Sequence, residues 1–141
     1  MLRQLLVALC LMAICVVVHA IGTTTAFRRL RRQTTRTPLF RELCWLFIRL
    51  AAWMVLLHLA EIALWGFFYV WRDAISDLPS AIYFSAVTYT TTGYGDLVLP
   101  EEWRLVGAVE ALTGILMCGW STAFFFAVVS RAFTATQPDP S

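Results

Sequence analysis

The chain has 141 residues, of which 60% are hydrophobic and only 14% charged, with a formal net charge of +2. A soluble domain carries about a quarter of charged residues, so this composition excludes one and indicates an integral membrane protein with room for a single small domain. All 11 basic residues are arginine and most crowd into one stretch, so the distribution of charge says more than its sum.

Residues 1–27 form the first predicted element, a transmembrane helix. Leu5 to Ala26 is interrupted only by His19 and a few small polar residues, which meets the roughly 20 residues needed to span a bilayer. The competing reading is a cleaved signal peptide with Val18-His19-Ala20 at the cleavage site. Against it stands the next stretch, 28–42, where Arg28, Arg29, Arg31, Arg32, Arg36 and Arg41 make an arginine-rich linker. The positive-inside rule makes that linker cytoplasmic, with the amino terminus outside. The same arginines suit the headgroups of anionic lipid, although topology alone explains them.

Residues 43–71 are predicted as a second span, about 43 Å of helix and so longer than the hydrocarbon core of about 30 Å. Trp45 sits near its inner end and Trp65, Tyr69 and Trp71 near its outer end, as interfacial belts require. His58 and Glu61 lie at i and i+3 near mid-membrane, where ionisable groups are costly. They are expected to be a buried hydrogen-bonded pair, to face another helix, or to sense pH.

Ser76-Asp77-Leu78-Pro79 reads as a helix start, and the helix over 79–89 spans only about 16 Å. It must enter the membrane and return, and backbone that is not helical at that depth survives only where it is buried in protein or lines an aqueous path. Thr91-Thr92-Gly93-Tyr94-Gly95-Asp96 follows. Gly93 and Gly95 can take positive φ, which turns successive carbonyls toward one side, and carbonyl oxygens are hard ligands for an alkali cation. The third span, 103–131, opens on Trp103 and Arg104 and ends on Arg131. Within it Glu110 is the unexpected residue, an intramembrane carboxylate expected to bond donors of the 79–89 helix from behind or to titrate. Residues 132–141 are expected to be a disordered tail.

The stretch 91–96 resembles the selectivity filter of the potassium-channel pore family, whose signature has valine where this chain has Thr92. The likeness extends through Leu78-Pro79, Tyr83-Phe84-Ser85, Trp103 and the spacing of Gly114 and Gly119. The resemblance implies an all-α membrane protein: a homotetramer of helix, re-entrant pore loop and helix modules over 43–131, each preceded by the extra helix. It also implies passive, selective potassium conduction, with potassium as the permeant ligand held by the carbonyls of Thr91, Thr92, Gly93 and Tyr94 and with Gly95 at the outer mouth. Tyr83 and Phe84 take the places of an aromatic cuff. Val87 stands where some bacterial members carry a glutamate, so the Tyr83 hydroxyl is expected to serve Asp96 instead. Gly114 is the expected hinge, with Gly119 the alternative. Ile115, Cys118 and Thr122 are expected toward the cavity, and Phe126 at a gate. A bacterial plasma membrane is the expected location.

Other chemistry finds little footing. Cys10, Cys15, Cys44 and Cys118 lack disulfide or metal spacing and read as packing residues. His19 and His58 are far apart in sequence, so no metal-ligand cluster is expected, nor a cofactor, a nucleic-acid partner or an enzyme. Gly93-Tyr94-Gly95-Asp96 also fits the Gly-x-Gly-Asp pattern of intramembrane aspartyl proteases, but that chemistry needs a second membrane aspartate, and Asp73, Asp77 and Asp139 lie outside the spans. A weakly selective cation channel and a non-conducting accessory subunit remain alternatives.

Overall fold

The computed structural model describes residues 2–31 and 40–134 and is all-helical across them. Arg32, Arg36 and the tail from residue 135 lie outside the described residues. Helix α1 runs Leu2–Arg31, α2 Phe40–Trp71, α3 Leu78–Tyr89 and α4 Arg104–Thr134, with a 3₁₀ turn over Glu101–Trp103 before α4. Three of the helices, α1, α2 and α4, are long and apolar enough to cross a membrane. The first helix runs past the expected boundary to take in Arg28 and Arg29, and α2 begins three residues before Leu43. Arginine is a good helix former, so the helices do not stop where the apolar run stops.

Polar side chains inside the spans bond locally where they have no partner helix. Thr23 donates to the carbonyl of His19 at 2.8 Å and Thr25 to that of Ile21 at 2.7 Å, one turn back. At the carboxyl-terminal end of α2 the chain reverses through Asp73, whose φ of 52° aspartate tolerates better than most residues. Backbone bonds from Arg72 to Phe68, Asp73 to Val70 and Ala74 to Tyr69 close that end. Arg72 stacks its guanidinium over Trp71 and Trp103, 5.4 and 5.2 Å from the ring centroids, joining the end of α2 to the turn that precedes α4.

Helix α3 starts as its sequence dictates. Asp77 is the N-cap, its Oδ1 accepting from the Ser80 N–H at 2.9 Å, and Pro79 lies in the first turn. That hydrogen bond holds the Asp77 carboxyl below the usual carboxylate range. The helix packs against α2 on one side and α4 on the other, while α1 lies against α4 and α2. Close approach depends on small residues. A Cβ on Gly66 of α2 would lie 3.2 Å from the backbone N and Cα of Ile82, and Gly114 of α4 meets α3 closer still.

Two apolar clusters result. The larger gathers Trp65, Phe68, Tyr69, Tyr89, Trp103, Val106 and Met117 with Ala8, Leu11 and Cys15 of α1. The smaller holds Leu50, Met54, Leu57 and Val128, with Trp53, Phe124 and Phe125 against it. Trp53 donates Nε1–H to the carbonyl of Gly22 at 3.1 Å, so the smaller cluster also reaches α1.

Candidate functional site

The segment after α3 carries the backbone expected of it. Thr91, Gly93 and Gly95 have φ of 59°, 57° and 77°, alternating with Thr92 and Tyr94, which stay out of the positive region. Glycine adopts such angles freely, whereas a β-branched threonine does so only when its surroundings impose it. The imposition is visible in three backbone bonds: Thr91 N–H to Thr88 O at 2.9 Å, Thr92 N–H to Val87 O at 2.9 Å, and Gly93 N–H to Val87 O at 3.2 Å. The amides of the strained segment therefore turn back into the end of α3. Among the described residues none donates a hydrogen bond to the carbonyls of Thr91 through Gly95. All of these residues are exposed, and Tyr94 is 71% exposed.

Behind the segment the side chains make a brace. Tyr83 donates its hydroxyl to Asp96 Oδ2 at 2.7 Å, the expected bond, and Asp96 Oδ1 accepts from the Leu97 N–H at 3.1 Å. Phe84 sits edge-on to Tyr69, with centroids 5.3 Å apart. Val87 lines a cavity of about 130 Å³ with Tyr83, Phe84, Gly93, Gly95 and Asp96, so Asp96 meets no carboxylate from that position. The Thr92 hydroxyl lies 2.9 Å from that of Thr90, which in turn donates to Ala86 O at 2.7 Å. The hydroxyl that distinguishes Thr92 from valine is thus tied back toward α3.

Glu110 is fully buried and bonded to the short helix as expected, accepting from Ser85 Oγ at 2.5 Å, and it also accepts from the Tyr69 hydroxyl at 2.6 Å, a partner on α2 that was not expected. Ser85 belongs to α3 and Tyr69 to α2, so this carboxylate joins all three helices behind the strained segment. Gly114 is spatially obligatory for a reason other than hinging. A Cβ there would lie 1.9 Å from the Tyr89 carbonyl oxygen, so the backbones of α4 and α3 touch. Gly119 meets nothing within 4 Å of such a Cβ. Ile115, Cys118, Thr122 and Phe126 are all exposed along α4, Phe126 at 71%. The Thr122 hydroxyl donates to Cys118 O at 2.9 Å within the helix. Of the cysteines, Cys15 is buried and Cys44 partly so, but Cys10 and Cys118 are exposed rather than packed.

The expectation that His19 and His58 stand apart fails. His19 Nδ1 lies 2.9 Å from Glu61 Oε1, and His58 Nδ1 lies 3.7 Å from Glu61 Oε2. The Tyr89 hydroxyl donates to Glu61 Oε2 and lies 3.1 Å from His58 Nδ1. Ser121 Oγ is 3.0 Å from His19 Nε2 and 3.0 Å from His58 Nε2. Glu61 thus faces other helices as well as His58. His19, Tyr89 and Ser121 are functional candidates that sequence reasoning missed. His19 and Ser121 are 102 residues apart, and their meeting depends on α1 lying against α4.

Two helices long and apolar enough to cross a membrane flank a short helix and a strained, carbonyl-rich return, the arrangement of a pore module of the channel class. The family model described as "Ion channel" matches residues 43–131, and the chain belongs to this family of potassium-channel pore modules. This is a family of channels and not of enzymes. The chain is 28% identical over 134 residues to the voltage-gated potassium channel regulatory subunit KCNG2 of Homo sapiens, covering 87% of this chain and 27% of that protein. It is 29% identical over 133 residues to its counterpart in Rattus norvegicus, covering 86% and 26%. The chain therefore spans about a quarter of the length of these relatives. No solved structure matches it.

Proposed function

We propose that the chain is one subunit of a homotetrameric channel that conducts potassium passively and selectively. The observation that carries this reading is the alternation of φ sign at Thr91, Gly93 and Gly95, with the carbonyls of this exposed segment left without a protein donor. Unpaired carbonyls at membrane depth need a partner, and a ring of them replaces the hydration shell of an alkali cation. One chain supplies one such segment, so a ring requires symmetric copies. The carbonyls of Thr91, Thr92, Gly93 and Tyr94 hold the ions, Gly95 lies at the outer mouth, and the carboxyl end of α3 points its partial negative charge at the cavity. Ile115, Cys118 and Thr122 line that cavity, Phe126 narrows its exit, and α4 bends at Gly119, where side-chain space is open, or at Gly114. The arginine-rich stretch from Arg28 to Arg41 faces the cytoplasm and anionic lipid of a bacterial plasma membrane, with the amino terminus outside.

The test is the reversal potential of the purified protein in planar bilayers with potassium on one side and sodium on the other. A potential near the potassium equilibrium value is expected. A value near zero with clear current would make the pore a weakly selective cation channel. A second reading is a regulatory subunit without conduction of its own, favoured by the name of the matched relatives. Silence of an intact tetramer in both salts, with current restored by a conducting partner chain, would favour it.

A further inference from the structure

His19, His58, Glu61, Tyr89 and Ser121 form a closed ring: Glu61 to His19, His19 to Ser121, Ser121 to His58, His58 to Tyr89, and Tyr89 back to Glu61. We propose that this ring is a proton-binding site, occupied by one proton more than its side chains carry with Glu61 ionised and both histidines neutral.

The argument is a count of hydrogens. Each contact between two polar atoms needs one shared hydrogen, and the ring has five contacts. Two neutral imidazoles, one phenol and one hydroxyl bring four hydrogens, and a carboxylate brings none. Rotating the rings cannot escape the shortage, because all four imidazole nitrogens have partners. Ser121 has one hydroxyl hydrogen and lies 3.0 Å from both Nε2 atoms, so at least one of these must be an N–H. If that histidine were neutral, its Nδ1 would be bare. A bare Nδ1 on His19 would face a carboxylate oxygen at 2.9 Å. A bare Nδ1 on His58 would face, at 3.1 Å, a phenol whose hydrogen is given to Glu61. A fifth proton removes the conflict in either case.

Charge balance points the same way. His19 and Glu61 are buried, at 0% and 1% exposure, and an uncompensated carboxylate there is costly. Cys15 of α1 and Cys118 of α4 also feel the charge of Glu61, and neither brings a positive charge. Glu110 is held separately by Tyr69 and Ser85. Among the described residues no arginine pairs with Glu61. With the fifth proton the ring is neutral overall. Imidazole is the stronger base and the carboxylate keeps two donors, so the proton rests on a histidine. A divalent cation on the same side chains, whose donor atoms lie within 4.8 Å of one another, would need hydrogens displaced from contacts already made and would leave a buried net positive charge.

The placement gives the proton mechanical consequence. Ser121 lies on α4 beyond Gly114 and Gly119, and Tyr89 is the last residue of α3, two before Thr91. The occupied ring clamps α4 to α1, α2 and the end of the pore helix. Loss of the proton leaves one contact without a hydrogen and loosens Ser121.

The chain has only two histidines, so ring-nitrogen NMR of the full-length, ¹⁵N-histidine-labelled protein in lipid reads the site without ambiguity. At neutral pH one ring is expected doubly protonated, with Glu61 ionised by carboxyl ¹³C shift. Ser121→Ala removes two contacts and with them the shortage of hydrogens, so the imidazolium should give up its proton at a lower pH than in the unmutated protein. Ser121→Thr keeps the hydroxyl and should keep the signal, which separates proton loss from misfolding. Two neutral rings in the unmutated protein would overturn the proposal, as would a protonated Glu61, an imidazolium whose titration Ser121→Ala leaves unchanged, or stoichiometric zinc uptake by the ring. The NMR readout does not require conduction, so it stands or falls apart from the channel reading.

Discussion

Tyr83 and Asp96 are joined by a 2.7 Å hydrogen bond from the pore helix to the residue that follows the strained segment. The bond spans 13 residues and closes the loop over the cavity lined by Val87. It is a single exposed tie, so its loss should show as altered persistence of the conducting state and leave the fold intact. Tyr83→Phe is expected to speed the decay of current under sustained activity about tenfold, the lower end of the scale of one hydrogen bond to a charged acceptor. Unchanged decay in macroscopic recordings would remove this bond from the account of filter stability.

Gly114 and Gly119 make a controlled comparison on one helix. Ala at 114 would push its Cβ to 1.9 Å from the Tyr89 carbonyl oxygen, a clash with backbone that no rotamer relieves, whereas Ala at 119 enters open space. Gly114→Ala should destabilise the protein by about 3 kcal/mol or prevent assembly, by the overpacking mechanism. Gly119→Ala should leave thermal stability unchanged and alter only opening. Thermal unfolding in detergent compares the two directly.

Thr92 is the one departure from the family's filter signature, and its hydroxyl is engaged by Thr90 at 2.9 Å. Because the hydroxyl turns toward the pore helix, Thr92→Val should keep the potassium-to-sodium permeability ratio within about twofold, by analogy with surface-scale losses of a single neutral bond. A large gain in selectivity, read from reversal potentials, would place that hydroxyl on the ion path.

Glu110 accepts from two hydroxyls, of which Ser85 also lies within reach of the backbone carbonyl of Ile62 while Tyr69 has no second acceptor among the described residues. Glu110→Leu leaves the Tyr69 hydroxyl buried and unpaired, at a cost of about 1–3 kcal/mol. The combination with Tyr69→Phe should recover most of that loss, because both ends of the bond are then apolar. A double-mutant cycle on unfolding free energies measures the coupling.

Asp77 gives the pH dependence its sign. Its carboxyl titrates below the usual range because the folded form holds the Ser80 N–H on it. A group whose folded value is depressed contributes stability above its unfolded pKa, about 4, and loses that contribution as pH falls through the lower folded value. Acid should therefore loosen the start of α3, and Asp77→Ala should remove this pH dependence. Asp77→Asn keeps a capping oxygen and should restore stability without the acid sensitivity. Amide hydrogen exchange at Ser80 across that range is the measurement.

Much of the architecture was legible because its signals are local. Length and apolarity mark three spans, Asp77 and Pro79 mark the start of the short helix, and Gly93 and Gly95 mark where positive φ falls. Tyr83 with Asp96, and Glu110 with pore-helix donors, could be expected because both pairs join elements adjacent in the chain order. Positive φ at Thr91 was not legible, since threonine by itself avoids that region and only the bonds from the end of α3 impose it. Gly114 announced a need for smallness, and only the contact with Tyr89 O revealed what it is small for. His58 was marked by its i, i+3 spacing to Glu61, but His19, Tyr89 and Ser121 carried no signal that joined them to it. Their meeting depends on the rotation of α1 against α2 and α4, which is set by how whole helix faces pack, and periodicity within one helix does not encode the register of another. Local chemistry thus determined the spans, the cap and the glycine turns, while tertiary packing alone decided which buried polar groups would share their protons.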